Sequence, residues 1–158
     1  TERLRHLGAL LDSVIALKRR IIEDLRPSAL SNLGLPAALR ALCEEFAQRS
    51  EIAVDVRVDE ITLSPDRALT AYRLVQEALT NVARHAKARQ VVVRIEADGD
   101  QARVHVSDDG VGFDASERPT ASHGLEGMGF RARSAGGRLS IRSTPGQGTT
   151  IEALLPIA

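Results

Sequence analysis

Two short motifs about thirty residues apart constrain this chain more than anything else in it: QEALTNVARHA at Gln76–Ala86 and SDDGVGF at Ser107–Phe113. The first reads as helix and sets Glu77 and Asn81 one turn apart, so a carboxylate and an amide project from one face. The second ends a strand. Alternation turns Val104 and Val106 to one side, and Asp108 falls on that same inward side at the strand's end. An inward carboxylate needs a donor. The exocyclic amine of a purine is a natural one, and Gly110 and Gly112 would let backbone approach its ring closely. GLEGM at Gly124–Met128 and PGQGTT at Pro145–Thr150 follow, so glycine loops succeed a polar helix in a fixed order. Together they point to a nucleotide pocket.

The rest of the pattern supplies a frame for that pocket. Leu4, Leu7, Leu11, Val14, Lys18, Ile21 and Leu25 alternate spacings of three and four, which is a heptad seam. Leu10, Ile15, Leu17 and Ile22 widen it beyond two strands, so the helix expects a bundle whose other members this chain does not obviously supply. Arg26-Pro27 ends it, because the residue before proline is pushed away from helical torsions. SNLGLP at Ser31–Pro36 reads as a connector, and helical period returns from Pro36 to Arg49. Val54, Val56 and Val58 alternate with polar residues as a half-wet strand. Ser64-Pro65-Asp66 caps the helix that carries Glu77. Val91–Ala97 and Ala102–Ser107 form a hairpin across Asp98-Gly99-Asp100, a helix runs roughly from Leu125 to Ala135, and Arg138–Thr144 and Thr149–Leu155 form a second hairpin. A length of 158 residues, 43% of them hydrophobic, suits one compact domain with a helical appendage. The division expected is residues 1–30 for the appendage and connector and 31–158 for the domain.

Each chemical motif is weak alone. An E-x-x-x-N pair arises by chance on surface helices, and D-x-G-x-G is a common acidic turn. Their order is what carries weight. Asn81 offers a hard amide oxygen suited to magnesium, and Glu77 could accept a proton or orient water beside that metal. Arg84 could reach phosphate, whereas His85 is expected to be structural. Gly124, Gly127 and Gly129 precede or open a helix, where free N–H groups and the dipole favour phosphate. The polar stretch from Phe113 to His123 reads equally as a lid or as an ordinary surface loop. There is no G-x-x-x-x-G-K-[ST] phosphate loop, no zinc-spaced Cys/His cluster and no nucleophile elbow. Zero formal net charge with dispersed basic residues gives no footprint for nucleic acid or an anionic membrane. The expected partners are therefore a small ligand or another protein. One cysteine, Cys43, excludes an internal disulfide framework and fits a reducing compartment, with cytoplasmic exposure as the expectation. No apolar run reaches the roughly 20 residues that span a bilayer. A start at Thr1 suggests a piece of a longer protein, which is free to carry membrane segments of its own.

In these motifs the chain resembles the ATP-binding domain of histidine kinases, within the superfamily shared with gyrase, a chaperone ATPase and a mismatch-repair ATPase. QEALTNVARHA is similar to the family's asparagine box, DDGVG to its first glycine box, and HGLEGM with Pro145–Thr149 to its later ones. DLRPSALSNLGLPAALRAL at Asp24–Leu42, and GLEGM followed by Arg131 and Ala135-Gly136-Gly137, further resemble the subfamily of nitrate and fluidity sensors. The resemblance implies an α/β fold of the Bergerat type, a two-layer sandwich of mixed sheet with helices on one face, preceded by a long helix. It implies ATP and Mg2+ as cofactors: Asp108 on the adenine amine, Asn81 on magnesium and Glu77 assisting near the phosphates. Gly110, Gly112 and Thr149 would shape the adenine side, and Gly124 and Gly127 would border the phosphates. It also implies a homodimer through the N-terminal helix and, as phosphorelay partner, a response regulator with a helix-turn-helix output domain.

Two departures stand out. The family's polar pair after GLxGM is replaced by Gly129-Phe130, while Arg131 remains in register. The family's phosphoacceptor histidine is followed by an acid, but His6 is followed by Leu7-Gly8 and lies about twenty residues before Leu25-Arg26-Pro27. The N-terminal helix is thus expected to be the second of the dimerisation hairpin, with the acceptor outside this chain and no self-phosphorylation by it. An anti-sigma-factor serine kinase of the same superfamily would lack the LRPSALSNLGL connector, and a scaffold that binds nucleotide without transferring phosphate would not need Glu77, Asn81 and Asp108 together.

Overall fold

The computed structural model describes residues 2–117 and 122–158. Its elements are α1 (Glu2–Leu25), α2 (Ser28–Ser50), β1 (Ala53–Val58), α3 (Pro65–Asn81), β2 (Gln90–Asp98), β3 (Gln101–Asp108), α4 (Ser122–Ser134), β4 (Arg138–Ser143) and β5 (Thr149–Pro156). A single turn of π-helix, Val82–Ala86, extends α3.

The five strands form one mixed sheet in the order β1-β2-β3-β5-β4. β1 runs parallel to β2, with α3 as the crossover between them, and the other pairs are antiparallel. Val91, Val93 and Ile95 of β2, Ala102, Val104 and Val106 of β3, and Ile151, Ala153 and Leu155 of β5 are all buried. Their period of two puts them on the face where α2, α3 and α4 pack. From α3 come Ala71, Leu74, Val75, Ala78 and Leu79, and from α4 Met128 and Ala132. Each fully buried leucine, isoleucine or valine contributes roughly 1.5–3 kcal/mol against exposure. The opposite sheet face is polar, with Arg94 paired to Asp55, Arg103 to Asp98, and His105 Nδ1 3.7 Å from Glu152. The architecture is the expected two-layer α/β sandwich behind a long helix.

Three local readings change. SNLGLP is not an open connector: Ser28–Ser50 is helical throughout except at Gly34, whose φ of 80° and ψ of 171° break the helix just before Pro36. Pro36 therefore sits where its missing N–H costs little. The helix of the asparagine motif changes from α to π immediately after Asn81. α4 begins at Ser122 rather than Leu125. The start of α3 follows its sequence, with Pro65 in the first turn and the Ser64 hydroxyl accepting from Arg67 N–H at 3.4 Å. Residues 118–121, the middle of the stretch read as lid or loop, lie outside the described residues. Among the described residues no helix is long and apolar enough to cross a membrane.

Candidate functional site

A cleft of about 160 Å³ opens between α3, the end of β3 and α4, with Ala78, Asn81, Asp108, Gly112, Leu125 and Thr149 among its lining residues. Each polar group arrives by a separate structural cause. β3 carries Asp108 on the same face as buried Val104 and Val106, and pairing sets it beside Thr149 of β5 and Val91 of β2. The carboxylate is half-buried. Gly110 N–H donates to Asp108 Oδ1 at 2.8 Å. Desolvation raises the Asp108 carboxyl above its ordinary range, outweighing the backbone donors Gly110 and Thr149, and the neighbouring Asp109 charge adds to the rise. A carboxylate in that state gains from a donor brought by a ligand.

The adjacent aspartate has a different task. Asp109 Oδ1 accepts from Arg89 N–H at 2.8 Å and Gln90 N–H at 2.9 Å, which ties the entry of β2 to the exit of β3. Those donors hold its carboxyl below the usual range. Sequence reading set Asp108 inward by alternation and had no signal for the structural role of Asp109.

Asn81 lines the cleft, and Glu77, one turn earlier on α3, stands next to its lining rather than in it, against the first turn of α4. A side chain at Gly124 would overlap Glu77 Oε1 and lie 3.8 Å from Asn81 Oδ1. The Asn81 Nδ2 atom is buried and has no hydrogen-bond partner. An orphaned buried amide costs roughly 1–3 kcal/mol, and oxygen and nitrogen of an amide are assigned from their partners. Either assignment leaves a polar atom of Asn81 calling for a ligand atom. Gly124, third residue of α4, belongs to the turn whose N–H groups have no intrahelical acceptor. The donor set and the orphaned amide together fit a nucleotide's phosphates with a divalent cation.

The glycines of the loops act mainly by close approach. A Cβ on Gly110 would strike the Ala86 carbonyl, and Val111 N–H donates to that same carbonyl at 2.7 Å. Gly110 is thus a packing contact between the β3 exit and the π turn, rather than a wall of the cleft. Gly112, at φ 60°, lines the cleft, and its missing Cβ makes room for the Thr144 and Gly148 carbonyls. Ser143 locks this corner: its hydroxyl accepts from Phe113 N–H at 2.9 Å and lies 2.8 Å from Thr149 Oγ1.

Two expected site residues stand elsewhere. Arg84 is exposed and lines a separate groove between α2 and α3, with Glu45, Phe46 and Gln76, so it does not face the cleft. Arg84 does lie one turn beyond Thr80, but Thr80 and Gln76 line that same groove, so the spacing carries Arg84 away from the cleft. Gly127 lies inside α4, beyond the first turn, where its N–H is taken by the helix itself. Conversely, His85, expected to be structural, is exposed and lines the cleft, as do Phe113 and Leu125. Asn81 and His85, four residues apart, share the cleft, while Gln76, Thr80 and Arg84, at the same spacing, share the groove.

The family model described as histidine kinase-, DNA gyrase B-, and HSP90-like ATPase matches residues 66–158, and the chain belongs to that family. Within it, the similarities are to sensor histidine kinases. The signal transduction histidine-protein kinase/phosphatase DegS of Brevibacillus brevis is 39% identical over 158 residues, 99% of this chain and 41% of that protein. The sensor histidine kinase LiaS of Bacillus subtilis (strain 168) is 36% identical over 139 residues, 88% of this chain and 39% of that protein. The histidine kinase domain of the blue-light activated histidine kinase of Erythrobacter litoralis EL346 superposes with a TM-score of 0.65 at 26% identity, covering 78% of this chain and 61% of that one. The histidine kinase AdeS of Acinetobacter baumannii, at 15% identity and a TM-score of 0.66, shares the fold. The chain is an ATP-binding catalytic domain of the histidine-kinase kind, and it spans about two fifths of the length of these two curated relatives.

Proposed function

We propose that this chain binds Mg-ATP in the cleft between Asp108 and Asn81 and serves as the phosphoryl-donating part of a sensor kinase of the nitrate and fluidity type. The observation that carries this reading is the unpartnered buried Asn81 amide, set beside Glu77 and the first turn of α4 in the cleft that holds Asp108. Asp108 accepts from the adenine amine, with Gly112 and Thr149 framing the ring. Asn81 holds the magnesium, which typically takes one or two protein oxygens and fills its other positions with phosphate and water. Bound Mg-ATP supplies the transferable γ-phosphoryl group and neutralises its developing charge. Glu77 receives or steers the proton of the accepting group, and the free N–H groups near Gly124 favour the phosphate charge.

The acceptor in this reading is a histidine on a dimerisation helix, and the onward recipient is an aspartate of a response regulator. α1 is the dimer surface. In this reading residues 1–30 are the appendage and connector and 31–158 the nucleotide-binding part; no residue of α1 is buried, whereas Pro27 and Leu30 are. Binding of ATP measured with and without Mg2+ tests the metal assignment. Magnesium should strengthen binding to the native chain and have little effect in Asn81→Ala; an equal magnesium effect in both removes Asn81 as its holder.

A further inference from the structure

α1 buries none of its residues. Packing therefore does not fix its direction relative to the sandwich, and polar contacts at its C-terminal end have to do so. A helix ends with unpaired carbonyls. In α1 the Ile22 carbonyl is taken by Arg26 N–H at 2.8 Å, while the Glu23 and Asp24 carbonyls accept from the guanidinium of Arg73, the former at 3.1 Å. Arg73 belongs to α3. Its other terminal nitrogen donates to Gln76 Oε1 at 2.7 Å, which orients the planar fork from its own helix. On the far side of the Arg26-Pro27 break, the Glu23 carboxylate accepts from Ser28 N–H at 3.1 Å at the start of α2. Hydrogen bonding from the Ser28 hydroxyl, and then from its N–H, lowers the Glu23 carboxyl below its ordinary range, with the Arg73 charge contributing. One residue of α3 thus reads the end of α1, four positions before Glu77 and eight before Asn81.

We propose that Arg73 is a positioning residue that fixes the direction of α1 against α3, so that α1 and the helix bearing Glu77 and Asn81 are presented in one set geometry. A cation at a helix C-terminus is favoured by the dipole as well as by the free carbonyls. One terminal nitrogen of the guanidinium takes both carbonyls while the other is held by Gln76, a fixed division of donors that an ammonium on a flexible stem lacks. The contact surrounds the proline break, the one place where α1 and α2 could pivot. Its meaning for phosphoryl transfer rests on the Mg-ATP reading above, whereas the geometric claim does not.

The test is a spin-label distance measurement in the described chain, with Asp12→Cys on α1, Glu96→Cys on β2 and Cys43→Ala, diluted into unlabelled chain so that only distances within one molecule are read. The native chain should give one narrow distribution. Arg73→Ala should at least double its width, and Arg73→Lys should fall between the two, while the affinity for Mg-ATP stays within about twofold of native in both. A native-width distribution in Arg73→Ala overturns the proposal. So does broadening accompanied by a large loss of nucleotide affinity, which would mark a general loosening of α3. A native chain that shows no Mg-ATP binding would remove the nucleotide reading alone and leave the distances to decide the role of Arg73.

Discussion

α1 and the sandwich are built from the same apolar residue types, with opposite results. Leu11 of α1 keeps 55% of its surface exposed and Leu74 of α3 keeps 1%. Both helices have a clear apolar stripe; the difference is that α3 meets a sheet face of Val91, Val93, Val104 and Ile151, whereas the stripe of α1 is left uncovered among the described residues. Amphipathic period identifies the side of a helix that requires cover and is silent about where the cover comes from. A row of exposed leucines and isoleucines on one helix marks an association surface. The apolar face of the sandwich is thus covered within the chain, and in the proposed reading that of α1 is covered by a second molecule.

The largest expected effect sharpens that contrast directly. Leu74→Ala should lower the unfolding free energy by about 2–5 kcal/mol, whereas Leu11→Ala should change it by no more than about 0.5 kcal/mol and instead weaken self-association in sedimentation. Similar losses of stability from the two would erase the distinction between core and association surface. A second comparison lies within one loop. Gly146 and Gly148 both have positive φ, at 79° and 75°, but a Cβ at Gly146 meets open space while one at Gly148 would overlap the Asp108 carbonyl. Denaturant melts should show about 1 kcal/mol lost in Gly146→Ala and about 2–4 kcal/mol in Gly148→Ala. Equal losses would show that backbone strain, not the close approach to Asp108, governs this corner.

The smallest effect concerns the cost of the cleft itself. Burial raises the Asp108 carboxyl above its ordinary 3.8, so the stability linked to its protonation is present below that value and is lost as pH rises through the raised one. At neutral pH the nucleotide-free chain carries a half-buried charge. Asp108→Asn should then melt at or slightly above native at pH 7, and the gap should narrow as pH falls toward 3.8. A variant that melts well below native at pH 7 would make Asp108 a structural residue like its neighbour Asp109.

The same contrast between local pattern and tertiary partner explains what the sequence discloses. Strand alternation places Val104, Val106 and Asp108 on one side because period two survives any packing arrangement. The cap at Ser64-Pro65 and the hairpin turns are local chemistry and fall where the residues put them. Arg84, His85 and Gly127 were less accessible to reading. A π turn leaves no clear mark in VARHA, and the start of α4 at Ser122 leaves none in its own sequence. Asp109, Ser143 and Arg73 act through backbone groups distant in sequence, 19 to 50 residues away, and single-sequence patterns hold no trace of such pairs.

Calorimetric titration of the chain and its Asp108→Asn variant with Mg-ATP addresses the central claim most directly, because the claim ties a half-buried, under-stabilised carboxylate to recognition of the adenine amine. A hydrogen bond to a charged group contributes about 1.5–3 kcal/mol, so the variant should bind roughly ten- to a hundredfold more weakly while melting no lower than native. Native affinity in a fully folded Asp108→Asn chain would contradict the assignment of this cleft to the adenine.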